Sequence, residues 1–211
     1  MSKHLRILYL FLMVLMNNRI DMCIPTQIIE VEPITSTKFS ISTTSSSTTT
    51  STTTTTTPIP PCPDSTWTQF DRGTYYWCMK VLFQKLELAA QQTSCSILNS
   101  KAVATGFQSV DEINTMMTVA LSEDSSFDTL GIGAKRVDGC MIYGLSATCT
   151  QLTSFEWTDG YTTGTDGFNW AENQPDHAGQ TWMCIYPNGD MDNDWPTTVN
   201  SGVICGMLAG N

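Results

Sequence analysis

The sequence predicts an α+β domain, stapled by disulfides and preceded by a low-complexity N-terminal segment. Three observations lead there. Apolar residues at helical spacing are confined to the stretch between residues 82 and 121. After that, short apolar pieces alternate with long loops rich in Gly, Trp, Asn and Asp. The chain also carries 8 Cys without a Cys-x-x-Cys pair, which points away from zinc ribbons and redox motifs and toward disulfides. At 211 residues there is room for one ordinary domain plus accessories.

The elements follow in order. Lys3, His4 and Arg6 precede an apolar run over residues 7–16, closed by Asn17, Asn18 and Arg19. A basic start with a short apolar stretch reads as a secretory signal peptide over residues 1–22, since a bilayer span needs roughly 20 apolar residues. No later segment is long and apolar enough for a span, so no membrane anchor is expected after cleavage and the chain is expected outside the cell. Residues 42–57 are unbroken Ser and Thr, followed by Pro58, Pro60, Pro61 and Pro63. Such sequence cannot offset its ordering entropy by burial, so residues 23–61 read as a stalk, O-glycosylated or plain. The folded domain then covers residues 62–211. Residues 82–98 have Leu86, Ala89, Ala90 and Ile97 on one helical face. Ser109 and Glu112 have capping-box spacing and start a second helix through Ile113, Met116, Met117, Ala120 and Leu121, with the Met pair as core filler. Residues 130–134, 183–186 and 202–207 read as short strands. Helices followed by strands and loops make the class α+β.

Charge narrows the function. The net charge is −10, which disfavours a nucleic-acid partner. Residues 137–211 contain no Lys or Arg but nine carboxylates: Asp138, Glu156, Asp159, Asp166, Glu172, Asp176, Asp190, Asp192 and Asp194. They mix with Asn169, Asn173, Gln174, Asn188 and Asn193, and concentrate in two expected loops, 172–176 and 190–194. Either solvent offsets that charge or a hard cation does, and calcium takes about six to eight oxygen ligands of these types. The spacing is not that of an EF-hand.

These residues resemble a C-type lectin domain. Cys62-Pro63-Asp64-Ser65-Thr66-Trp67, Phe70 and Tyr76-Trp77-Cys78 are similar to the entry strand of the long form. Cys95 resembles the first invariant Cys. Gly131-Ile132-Gly133-Ala134 stands where the family has Trp-Ile-Gly, with Gly131 replacing the Trp. Phe155-Glu156-Trp157-Thr158-Asp159-Gly160 resembles the Trp-x-Asp-Gly signature. Phe168-Asn169-Trp170 with Gln174-Pro175-Asp176 resembles the long-loop sugar motif, and Val203-Ile204-Cys205 the closing strand. Cys140 and Cys149 look like the extra pair of a nematode-type subgroup. The resemblance implies two helices, two small antiparallel sheets and a long loop region. It also implies the disulfides Cys62–Cys78, Cys95–Cys205 and Cys140–Cys149.

One departure concerns Cys184, whose family partner position is Thr197. Three readings stay open: a buried free thiol, a bond to Cys23, or a link between two chains.

The resemblance nominates Gln174, Asp176, Asn193 and Asp194 as calcium ligands, with Gln174 and Asp176 flanking a cis-Pro175. The same four would hydrogen-bond two sugar hydroxyls, with His177 or Trp182 as an aromatic contact. Two positions depart from the motif: Trp182 replaces an expected Glu, and Asp192 replaces the Trp before Asn193-Asp194. The order Gln-Pro-Asp is similar to the galactose-type motif. The implied function is calcium-assisted binding of galactose-type glycans, including those of a microbial surface in innate defence. The alternative is a calcium-independent module binding protein, lipid or microbial surface. Glu172 with Asp176 as a hydrolase acid pair ranks last, because no nucleophile–base arrangement accompanies it. The expectation is therefore a binding protein with no catalytic residue. The glycan and the oligomeric state are not fixed by the sequence.

Overall fold

A computed structural model describes residues 58–142 and 144–211. The expected signal peptide, the Ser/Thr run and Cys23 lie outside the described residues. The entry hairpin is β1 (Thr68–Asp71) against β2 (Tyr76–Leu82). Next come β3 (Leu86–Glu87), α1 (Leu88–Ser94), a 3-10 turn at Cys95–Ile97, and β4 (Val103–Ala104). Helix α2 spans Val110–Glu123 and β5 spans Leu130–Arg136. The remaining strands are β6 (Phe155–Trp157), β7 (Trp182–Ile185), β8 (Met191–Asp194), β9 (Val199–Asn200) and β10 (Gly202–Leu208). One mixed sheet runs β1-β2-β10-β5-β7-β8, with β4 on β10 and β6 on β5, and β3 pairs β9 separately.

The α+β class holds, with two corrections. The sheets are not two small antiparallel ones: the larger has eight strands, and β10 runs parallel to β5. The helix expected over 82–98 shrinks to Leu88–Ser94 and its 3-10 extension. Leu82 is already paired with Val203, and Leu86 with Asn200, so strand partners overrule helical spacing there. No side chain caps α1; instead Leu88 N–H donates to Thr198 O (2.9 Å) and Ala89 N–H to Pro196 O (3.0 Å). Gly131 admits no side chain, since a Cβ there would meet Gln91 Oε1 at 2.1 Å. Gln91 and Leu88 of α1 fill that space.

Strand β10 is the middle of the core. It pairs with β2, β4 and β5, and all but its last residue are buried. Trp77, Phe107, Ile113, Met116, Leu130, Ile132 and Met183 pack around it with no exposure. Among the described residues three disulfides form, Cys62–Cys78, Cys95–Cys205 and Cys140–Cys149. The second closes 110 residues and by chain entropy contributes roughly 4–5 kcal/mol. Among the described residues Cys184 alone is free, and it is buried.

A polar network crosses this core. Ser109 caps α2, its Oγ accepting from Glu112 N–H (3.3 Å). The Glu112 carboxylate accepts from Gln108 N–H (2.7 Å) and pairs with Arg72 through Nε (2.8 Å) and Nη2 (2.7 Å). Arg72 also donates to Thr162 Oγ1 (3.1 Å) and Gly106 O (3.2 Å). Both ionic side chains are enclosed, at 1% and 7% exposure. Glu112→Ala therefore leaves a buried guanidinium without its counter-ion and should cost about 3–5 kcal/mol in urea unfolding with disulfides intact. The Arg72→Met/Glu112→Leu double variant should cost less than either single change.

Candidate functional site

The candidate site is the tip of the long loop between β6 and β7, resting on β8. Its root is fixed by Asp159, which accepts from Gly106 N–H (2.8 Å), Tyr161 N–H (2.8 Å), Thr162 N–H (2.7 Å) and Thr162 Oγ1 (2.6 Å). Asp159 is thus structural, as are the aromatics beyond it. Phe155 is buried, while Trp157 and Trp170 are partly buried against the core, with Phe168 stacked 4.2 Å from Trp157. The loop then pairs with β8, where Ala171 N–H donates to Met191 O (2.9 Å) and Met191 N–H to Asn169 O (2.7 Å).

At the tip the Gln174-Pro175 bond is cis. Asp176 N–H donates to both Gln174 Oε1 (2.9 Å) and Asn193 Oδ1 (3.1 Å). Asn193 is fully buried, and its Nδ2 donates to His177 O (3.0 Å). The Gln180 amide sits between, 2.9 Å from Asn193 Nδ2 and, turned over so that Nε2 donates, 3.0 Å from Asp176 Oδ1. Residues 190–194, expected as a loop, contain strand β8, so their side chains alternate. Met191 and Asn193 point inward, whereas Asp192 and Asp194 are half-buried. Asp194 Oδ1 accepts from Trp195 N–H (2.7 Å) and Thr198 Oγ1 (2.7 Å), closing the next turn. Of the four nominated residues, three meet at the Asp176 amide and Asp194 serves a different turn.

As arranged here, the nominated oxygens are partly engaged within the protein rather than all turned to one point. The Gln174 and Asn193 oxygens already receive a backbone proton, Asp194 Oδ1 takes two donors, and Trp182 supplies no oxygen. Among the described residues no group of three His, Cys, Asp or Glu is placed to hold a metal. The loop instead has a protein cation beneath it. Arg136, one residue before the Lys- and Arg-free stretch, is 1% exposed. Its Nε donates to Gln180 O (3.0 Å) and its Nη2 to His177 O (2.8 Å). Burial works against its charge, and Asp176 works for it. Sequence reasoning missed Arg136 by looking for the offsetting charge only within the acidic segment.

The nominated aromatics differ in exposure, His177 being exposed and Trp182 less so. Trp182 is half-buried in the sheet with the Lys135 ammonium 5.7 Å from its ring. Trp195 is the exposed one, at 44%. Its ring centroid lies 4.9 Å from that of exposed His177, and it packs over Gly179, where a Cβ would meet the indole at 2.5 Å. Gly179 N–H donates to His177 Nδ1 (3.1 Å), leaving Nε2 outward. The available signal was an aromatic directly after Asn193-Asp194. Gln174 Nε2 has no partner among the described residues, and Asp176 is exposed. The Glu172 side chain is exposed too. Two open clefts, about 420 Å³ beside Arg72 and about 390 Å³ beside Tyr75, include none of residues 172–177.

Behind the tip, Asp192 accepts from Tyr186 Oη (2.8 Å) while its other oxygen is buried without a partner. Burial raises its carboxyl above the ordinary 3.8, and Asp176 and Asp194 add to the rise. Burial with Asp192 and Asp194 likewise pushes the Cys184 thiol well up, so it stays protonated and unreactive.

No model of a protein family and no curated protein matches the sequence. Solved structures do match. The C-type lectin CEL-I from Cucumaria echinata aligns with TM-score 0.53 and 16% identity over 70% of this chain and 98% of that one. The C-type carbohydrate-recognition domain of cow CD23 gives 0.52 and 18% over 71% and 98%. Human lithostathine gives 0.52 and 9% over 69% and 90%. The chain has the C-type lectin-like fold.

The raised Asp192 carboxyl has a sign. Its folded-state value stands above the unfolded one, so its contribution favours the folded chain at low pH and is lost as the pH rises through the folded value. Asp192→Asn should therefore raise Tm by about 1–4 °C at pH 7. Near pH 3 variant and wild type should melt together in scanning calorimetry.

Proposed function

We propose that the domain is a carbohydrate-binding module of an extracellular protein, taking galactose-type glycans at the 174–177 loop without a resident ion. The supporting observation is Trp195, exposed with its ring 4.9 Å from that of exposed His177, the residue that follows Asp176 in the loop. A flat aromatic face suits the apolar face of a sugar ring. The exposed Asp176 carboxylate accepts from hydroxyls, while Gln174 Nε2 and His177 Nε2 donate to them. Asn193 and Arg136 act underneath as positioning residues, and Trp182 with Asp194 shapes the neighbouring strand. A shallow surface with these groups favours binding over catalysis. Three disulfides within a domain of this size fit an oxidising compartment, and microbial glycans are one source of such ligands.

A second reading is calcium-assisted binding at the same loop. The unpartnered buried oxygen of Asp192, with Asp176 and Asp194 nearby, favours it. Calorimetry on the chelator-stripped full chain separates the two. The first reading expects no heat up to about millimolar calcium. It also expects galactoside-array binding that survives chelator and drops roughly tenfold in Trp195→Ala. Calcium binding at or below that range, abolished in Asn193→Ala/Asp194→Ala, would put the second reading in its place.

A further inference from the structure

The loop closed by Cys140–Cys149, with the turn after it, carries apolar side chains that the fold leaves in solvent. Ile142 is 77% exposed, Leu152 52%, Leu145 50% and Met141 36%. Single exposed apolar residues are ordinary, but three on one covalently closed loop and a fourth in the turn after it concentrate apolar surface within residues 141–152. The loop is held against folding them inward. Beyond the disulfide, Ser146 N–H donates to Cys149 O (2.9 Å), Cys149 N–H to Ser146 Oγ (3.0 Å), and Thr150 N–H to Thr153 Oγ1 (2.9 Å).

This patch is continuous with the candidate sugar loop. Gln151 Nε2 donates to Gln174 O (2.6 Å), and Gln151 O accepts from Trp170 Nε1 (2.8 Å). A Cβ on Gly144 would lie 3.4 Å from Asp176 O. Charge then selects the occupant. From residue 137 onward there is no Lys or Arg, and exposed Asp138 stands at the foot of the loop. An anionic bilayer surface is repelled by such a face. A neutral surface that presents sugar hydroxyls is complementary to both halves.

We propose that the site takes a neutral glycolipid in a bilayer, with the headgroup on Gln174, Asp176 and Trp195 and with Ile142, Leu145 and Leu152 entering the lipid interface. The inference rests on the carbohydrate reading above and names the class of ligand for that site. Neither half suffices alone: the apolar residues give attraction without specificity, and the sugar contacts give specificity with little area. A bilayer also gathers many copies of a weakly held headgroup.

The test is flotation of the secreted chain after signal removal, disulfides formed, with phosphatidylcholine vesicles with and without galactosylceramide, beside an array of soluble galactosides. Wild type should float with galactosylceramide vesicles and stay behind with plain ones. Ile142→Ser/Leu145→Ser should lose vesicle binding by roughly tenfold or more while its array signal is unchanged, and Leu152→Ser should show the same direction. These side chains are exposed, so the variants should melt with wild type. Unchanged flotation of the double variant with the array signal intact would overturn the inference and leave the sugar reading standing. Equal flotation with plain vesicles would overturn it in favour of a sugar-independent surface. A wild-type dimer in sedimentation that the double variant dissolves would overturn it in favour of contact between copies. Absence of both array signal and flotation would remove the sugar reading and the inference together.

Discussion

The fold hangs on a buried polar network that joins four separated stretches of chain. Arg72 comes from the entry hairpin, Glu112 from the first turn of α2, Gly106 from the connection after β4, and Asp159 with Thr162 from the start of the long loop. Trp77 joins through Thr105, its indole N–H donating to Thr105 Oγ1 at 2.9 Å. The links are hydrogen bonds made in buried or partly buried surroundings, where an unmet partner is costly. The network therefore specifies one arrangement of these segments, whereas apolar packing around β10 would tolerate several.

Three anchors then hold the long loop in succession. Asp159 fixes its root. Asn169 and Ala171 exchange backbone hydrogen bonds with Met191 in the middle. Arg136 and Asn193 hold the carbonyls of His177 and Gln180 near the tip. A loop with so little helix or strand is kept in place by polar groups from β5 and β8 beneath it. The exposed groups at the tip, Asp176, His177 and Trp195, are displayed by a support that is itself enclosed. The Cys140–Cys149 loop leans on the same tip through Gln151, so the polar and apolar surfaces are set by one framework.

The acidic stretch illustrates how charge is resolved in three dimensions. Asp159 accepts five hydrogen bonds from the protein, and Asp194 two. Asp190 accepts from Asn188 Nδ2 at 2.7 Å. Asp176 stands near Arg136, which lies outside the stretch by one residue. Oxygens that in sequence suggest an ion are largely engaged with the protein's own N–H and O–H groups. Asp192 keeps one buried oxygen without a partner, and burial, with Asp176 and Asp194 nearby, raises its carboxyl.

The sequence by itself determined what local chemistry determines. The capped start of α2 at Ser109, the short strands β5, β7 and β10, and the burial of Met116 and Met117 follow from periodicity and capping. The ordered motifs carried the fold and the three disulfide pairs. What only the tertiary structure decided depends on partners distant in sequence. Helix α1 begins late because Leu82 and Leu86 meet β10 and β9. Gly131 carries no side chain because Gln91 occupies the space. At the site, spacing gave residue types but not directions. Strand β8 turns Asn193 inward, the Asp176 N–H donates to the Gln174 and Asn193 side-chain oxygens, and Trp195 is more exposed than half-buried Trp182. A motif names which atoms are available, and only the fold decides which of them are already in use.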